Sequence, residues 1–255
     1  MKMVVFDLDE TLGYFVEFRI FWECLLRHFG NVFLTQQDFN NVLNLYPEFL
    51  RPNIYTILNF LKIKKQVGLC EKVMIYTNNQ SPKSWVQYLV NYLDSKLNYN
   101  LFDQIICAFK VNGKRIEINR TSNTKTYADL LQCTRVPANT EICFLDDKIF
   151  PEMSNDNVYY IYVKPYRHDL NFSEMIKRFN EAKFLNFVLQ EQLILNDLCL
   201  YDYNYVKKSV TEYDVDKIIG KEIINHLRMF FKKGTKNKTF KKRIIANKFN
   251  KTFRK

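Results

Sequence analysis

The sequence predicts an α/β fold, a Rossmann-like parallel sheet with helices on both faces. Three observations carry this. Five short apolar runs, Lys2–Phe6, Lys72–Tyr76, Gln104–Phe109, Glu141–Leu145 and Val158–Val163, alternate with stretches whose apolar residues recur at helical spacing, and that alternation builds parallel sheets. The runs are continuously apolar, as expected of strands covered on both sides. Three of them end in polar clusters: Asp7, Asp9 and Thr11 after Phe6, Thr77-Asn78-Asn79 after Tyr76, and Asp146-Asp147 after Leu145.

Taken in order, Lys2–Phe6 is a buried strand. Phe15, Phe18, Phe21, Trp22, Leu25, Leu26 and Phe29 mark a helix over Tyr14–Phe29, stopped by Gly30-Asn31. This aromatic stripe reads as core, with Tyr14 at the mouth of a substrate pocket as the alternative. Gln36–Leu45 is a second short helix, and a third runs from Ile54 to about Lys65 with Pro52 near its N1 position. Val67-Gly68 turns the chain into the strand Lys72–Tyr76. A helix follows Ser81-Pro82, with Ser81 as N-cap, and reaches about Leu93. The strand Gln104–Phe109 leads to an Asn112-Gly113 turn and a short strand over Arg115–Asn119. Thr126–Cys133 is a short helix. Glu141–Leu145 and Val158–Val163 complete the strands. Beyond Tyr166 the pattern turns helical, over Leu170–Leu200 and Asp214–Phe231. The expected organisation is a core over residues 1–169, a helical C-terminal extension over 170–231 and a basic, flexible tail over 232–255.

The 255 residues, 47% hydrophobic and 25% charged, suit one globular domain with extensions. No run of 18 apolar residues exists, and the N-terminal apolar run is short and leads into acids, so neither a membrane span nor a signal peptide is expected. An intracellular protein, cytoplasmic or nuclear, follows. The six cysteines are scattered without a C-x-x-C pair and read as reduced thiols. Abundant Asn, Lys, Ile, Tyr and Phe with little Gly match A/T-rich codons, which points to an A/T-rich genome, viral or protist. The net charge of +11 is concentrated in the tail: Lys221–Lys255 holds thirteen Lys/Arg and one acid, so the rest is close to neutral.

In an open parallel sheet, ligands sit beyond the carboxyl ends of the strands where strand order switches. The three polar clusters would converge there. Asp7, Asp9, Asp146 and Asp147 would repel one another in a partly dry site. A hard divalent cation relieves that repulsion, and Mg2+ takes one or two carboxylates plus water and phosphate oxygens. The chemistry such a group suits is metal-assisted phosphoryl transfer. One carboxylate attacks phosphorus, the second protonates the leaving oxygen and later activates water. The Thr77 hydroxyl, backbone N–H groups of the 7–11 turn and an ammonium would meet the charge on the equatorial oxygens.

The order D-L-D-E-T, apolar-apolar-Thr-Asn, a downstream Lys and apolar-Asp-Asp resembles the haloacid dehalogenase (HAD) superfamily of phosphatases. Within it, "DLDETL", "FLRPNIYTILNFL" and "VMIYTNN" look most like the RNA polymerase II C-terminal-domain phosphatases, the NLI-interacting-factor-like group. The resemblance spans roughly Met3 to Tyr166. The helical, aromatic segment from Gly13 to Pro47 and the residues beyond Tyr166 depart from it. It implies Mg2+, with Asp7, Asp9, Asp146 and Asp147 around the metal. Asp7 would be the nucleophile that becomes aspartyl-phosphate, and Asp9 the general acid and base, lending its backbone carbonyl to the metal. Thr11 would brace the turn, and Thr77 would hold a phosphate oxygen. Lys125 in "NTKTYADLL" fits the family lysine best, with Lys110 and Lys114 as competitors. Asp147 is favoured over Asp146 as direct ligand, the other orienting the lysine. Asn78 either donates to phosphate or forms an Asx turn.

Only a short helical insertion fits between Thr11 and Thr77, so a small cap or none is expected. An open crevice favours a phosphorylated macromolecule, phosphoserine or phosphothreonine in a protein as the resemblance implies, or a nucleic-acid end. A non-catalytic scaffold of the same fold is the third reading. The tail suits nucleic acid or an acidic partner, with nuclear targeting through Lys241–Arg243 or simple solubilisation as alternatives.

Overall fold

The computed structural model describes residues 1–29, 34–183, 189, 205–232 and 243–244. Its centre is a parallel sheet of five strands: β1 (Lys2–Phe6), β2 (Lys72–Tyr76), β3 (Gln104–Ile106), β6 (Glu141–Asp146) and β7 (Val158–Tyr162). Their order is β3-β2-β1-β6-β7. Val4 pairs with Val73 on one side and Cys143 on the other, and Phe6 with Ile75 and Leu145. The chain first builds outward from β1 through β2 to β3, then returns to the far side of β1 for β6 and β7. The switch therefore falls between β1 and β6, and this Rossmann-like arrangement leaves a crevice beyond their carboxyl ends. A two-residue strand, β8 (Arg243–Ile244), pairs in parallel with β7. Residues 233–242 and 245–255 of the basic tail, and the Gly30-Asn31 stop, lie outside the described residues.

Alternate residues of each strand point to opposite faces, and the core divides accordingly. Val4, Phe6, Val73, Ile75, Cys143 and Leu145 join one large apolar cluster. Helices α1 (Val16–Phe29), α2 (Gln36–Leu43), α3 (Ile54–Gln66), α4 (Lys83–Leu97), α6 (Phe172–Ala182) and α7 (Val210–Phe231) supply most of the rest of it. Met3, Val5, Met74, Tyr76, Ile142 and Phe144 face a smaller cluster, to which α5 (Tyr127–Thr134) contributes Leu130 and Cys133. Both faces carry helix, one thickly and one thinly. Helices α6 and α7 share the cluster of the main sheet face through Met175, Phe179, Ile223 and Leu227.

Several expected boundaries shift for local reasons. Helix α4 is capped by Pro82 rather than Ser81, because the Ser81 amide turns to Asn79 Oδ1 at 2.7 Å. Pro52 precedes α3 instead of opening it, since Asn53 takes the cap position in a left-handed conformation, φ 66°. Strand β3 ends at Ile106, three residues early, as the chain leaves the sheet for a hairpin of β4 (Lys110–Val111) and β5 (Lys114–Arg115). Its turn is Asn112-Gly113, both at positive φ, as the two-residue hairpin turn requires. The extended chain over Arg115–Asn119 shrinks to β5, and of the helical stretch Leu170–Leu200 the described part is α6. The second late helix starts at Val210, four residues before expectation, where Ser209 and Glu212 form a capping box. The described cysteines, Cys24, Cys70, Cys107, Cys133 and Cys143, are buried and not disulfide-bonded. Among the described residues no helix is long and apolar enough to cross a membrane.

Candidate active site

Asp7 follows the last residue of the central strand, and its amide still bonds to Leu145 O of β6 at 2.8 Å. The chain then turns sharply. Leu12 N bonds to Leu8 O at 2.9 Å and Glu10 N to Gly13 O at 2.7 Å. Glu10 sits at φ 58°. Gly13 is required by space: a Cβ there would lie 2.4 Å from the Phe15 ring and 2.5 Å from Phe49 O. This turn projects Asp7 and Asp9 into a crevice of about 370 Å³ lined also by Thr77, Lys125, Asp146 and Asp147.

The distant acids meet as the order of strands requires. Carboxylate oxygens of Asp7, Asp146 and Asp147 lie within 4.8 Å of one another, and all three residues are buried. Lys125, just before the Thr126 N-cap of α5, reaches into this group. Its Nζ donates to Asp7 Oδ1 at 2.5 Å and Asp146 Oδ2 at 2.7 Å. The competitors Lys110 and Lys114 lie on the exposed hairpin. Asp146 also accepts from Lys148 N at 2.8 Å. Asp147 is held through its backbone, whose N–H donates to Thr11 Oγ1 at 3.1 Å, with its Oδ1 3.4 Å from the same hydroxyl. Thr11 therefore ties the β1 turn to the β6 end.

The second half of the polar set behaves differently. The carboxylate of Asp9 stands outside the three-acid group and accepts from Asn79 Nδ2 at 2.7 Å. Thr77, buried at the end of β2, accepts from Asn79 N at 3.0 Å and keeps its hydroxyl proton for the crevice. Asn78 has both polar ends taken inside the protein: Oδ1 accepts from Arg120 Nη2 at 2.7 Å and Nδ2 donates to Asn123 O at 2.9 Å. It thus braces the approach to Lys125, and Asn79, the member of the Thr77-Asn78-Asn79 cluster to which the sequence assigns no role, is the residue that touches Asp9.

Electrostatics follow from crowding. Asp147 is pushed up to about 7 by burial and by Asp7 and Asp146. Asp9 rises to about 6 through burial and the Asp7 charge, with the Asn79 amide opposing. Asp146 rises to about 6 because burial and Asp7 outweigh Lys125. For Lys125, burial acts downward but Asp7 and Asp146 prevail, and its affinity for a proton is raised. One ammonium faces four carboxylates, so the group carries excess negative charge. Three converging hard oxygen donors in a buried, acid-rich crevice fit a cation of the Mg2+ type.

The crevice walls come from the aromatic segment and from beyond β6. Tyr14, Val16 and Arg19 stand on one side, Lys148 and Phe150 on another. Of the rest of the stripe, Phe15, Phe18, Phe21, Trp22 and Leu25 are buried in the core and Leu26 and Phe29 are half-buried against it, so Tyr14 is the member at the mouth.

Two further residues hold the site without facing it. Arg51 and Arg120 are 1% and 0% exposed. Arg51 donates from Nε to Thr11 O and from Nη2 to Glu10 O, both at 2.5 Å. Arg120 Nη1 donates to Thr77 O at 3.1 Å and Cys107 O at 2.8 Å. Arg51 lies in the stretch "FLRPNIYTILNFL", where the sequence assigns it no role, and Arg120 carries no motif at all. Compared with models of known protein families, with curated proteins and with solved structures, the chain matches none.

Proposed function

We propose that the chain is a Mg2+-dependent phosphomonoesterase of HAD type that works through an aspartyl-phosphate on Asp7. The observation that carries this reading is the meeting of Asp7 with Asp146, Asp147 and Lys125 beyond the switch point of a parallel sheet. The order of the motifs supports it, as does their resemblance to that superfamily. Asp7 and Asp147 would hold the metal, with the backbone carbonyl of Asp9, and the bound cation would neutralise phosphoryl oxygens.

Asp7 attacks phosphorus in line, and the P–O bond to the leaving group breaks. Asp9, whose proton affinity burial and the Asp7 charge raise to about 6, gives its proton to the departing oxygen. Lys125 and the Thr77 hydroxyl meet the equatorial charge. Asp9 then takes a proton from water, which attacks phosphorus and releases Asp7 and inorganic phosphate. Asp146 orients Lys125 throughout.

Helices α1 and α2 are built into the core rather than a separate lobe, with Phe18, Trp22 and Phe39 in the main cluster. That supports a macromolecular substrate, a phosphoserine or phosphothreonine segment of C-terminal-domain type. The test is Mg2+-dependent phosphate release from a phosphoserine peptide and from a 3′-phosphorylated oligonucleotide, with and without residues 233–255. Turnover on the peptide that Asp7→Asn abolishes is expected. Turnover on the oligonucleotide alone, lost with the tail, would favour a polynucleotide phosphatase. Turnover unchanged in Asp7→Asn would end the catalytic assignment.

A further inference from the structure

We infer that Arg51 is a positioning residue for the Asp7–Thr11 turn, and that α7, docked against Pro52 and Asn53, backs it from behind. For its kinetic consequence the inference rests on the phosphatase reading; for its structural consequence it does not.

Residue 51 grips the turn three times. Its amide donates to Leu12 O at 3.0 Å, and its guanidinium reaches Thr11 O and Glu10 O. Nη2 also donates to Lys164 O at 2.9 Å, on the chain leaving β7. Glu10 O takes a second donor from Tyr166 N at 2.8 Å. The carbonyl fixed most heavily therefore belongs to the residue in the left-handed conformation, which L residues with side chains visit at a cost. The planar fork of arginine suits several fixed acceptors, whereas an ammonium presents no such plane.

Behind the guanidinium lies the C-terminal helix. Arg51 Nη1 has no hydrogen-bond partner. Burial lowers its proton affinity to about 10, and Asp216, 1% exposed, is the foremost charge opposing that fall. Asp216 in turn pairs with Lys208. The neighbouring residues of Arg51 dock the same helix. Asn53 Nδ2 donates to Lys217 O at 3.0 Å, and α7 approaches so closely that a Cβ on Gly220 would lie 2.4 Å from Pro52 O. Residues 51–53 thus join α7 to the turn that carries the nucleophile.

The experiment compares Arg51→Lys and Asp216→Asn with the wild-type chain by hydrogen exchange and steady-state kinetics. In Arg51→Lys, amides of residues 8–14 should exchange at least about tenfold faster while those of α4 stay unchanged. The value of kcat should fall on the order of 10²-fold, as misplacement of a reacting group predicts, with KM within about twofold. Asp216→Asn, which keeps the guanidinium, should show a smaller change in the same peptide. Unchanged exchange and kcat, or faster exchange spread evenly over all peptides, would overturn the inference. Should Arg51→Lys not fold, Gly220→Ala, whose Cβ would meet Pro52 O and push α7 off the segment, takes its place: faster exchange confined to its 8–14 peptide supports the inference and unchanged exchange there overturns it. A wild-type chain without turnover would sink the phosphatase reading and leave the exchange arm standing.

Discussion

Lys125 and the two arginines are all buried cations around one crevice, yet they face different partners. Lys125 meets two carboxylates, Asp7 and Asp146. Arg51 donates to backbone carbonyls alone, and Arg120 to carbonyls and the neutral side chain of Asn78. A carboxylate can change charge, bind a metal or form a bond, so a cation matched to it takes part in whatever happens there. A carbonyl is a fixed dipole, so a cation matched to it sets the path of the chain. The difference separates chemistry from shape within a few residues of the same turn.

The sharpest way to break this comparison is Lys125→Met. Loss of a preorganised donor to the equatorial charge should lower kcat by about 10²–10³-fold, measured as phosphate release at saturating Mg2+. The Mg2+-loaded variant should melt near the wild type, because a bound cation compensates the acids. A large fall in melting temperature with full activity per folded molecule would place Lys125 with the arginines.

Asn79 stands between the two classes, a neutral donor to a carboxylate. Asn79→Ala should cost about tenfold in kcat, in line with one hydrogen bond to a charged group. The loss should be greater for alkyl than for aryl phosphates, since Asp9 matters most for poor leaving groups. Equal loss on both would make Asn79 a brace like Asn78.

The smallest effect concerns pH. Asp9, Asp146 and Asp147 have folded values above the usual carboxylate range, up to about 6, 6 and 7. The folded, metal-free protein therefore binds more protons than the unfolded chain between about pH 4 and 7, and this contribution to stability falls as pH rises through that window. In EDTA, Asp147→Asn should flatten the decline of melting temperature by a few degrees relative to wild type, and Mg2+ should remove the decline in wild type. A wild-type slope unaffected by Mg2+ would show that the three acids hold no cation.

Much of the site was legible because its residues sit directly after apolar runs. Asp7, Thr77 and Asp146 each take their place from the strand before them, and period and polarity are local signals. Lys125 needed the motif order as well. Asn79 stood in the same cluster as Thr77, and Arg51 in a motif stretch, yet nothing in their neighbours said what either would touch, and Arg120 left no trace. Arg51 reaches a carbonyl 113 residues away, and one Arg in a loop looks like any other until the fold closes. The fold was legible for the same reason the site was: long apolar strands outvote their surroundings. Short elements were not. Strand β3 lost its last three expected residues, and α7 gained four at a capping box, since their limits depend on where the chain must go next.

The sheet's unequal coats have a consequence for how the molecule comes apart. The small cluster is screened by α5, two turns long, together with loops, so water gains Cys133 by lifting one short segment. Cys143, on the opposite face of the same sheet, lies fully buried beneath the larger cluster and its several helices, so exposing it requires moving far more of the chain. That short helix also carries Lys125 on its N-terminal flank, so lifting it would draw the ammonium away from Asp7 and Asp146 while the larger cluster stays packed.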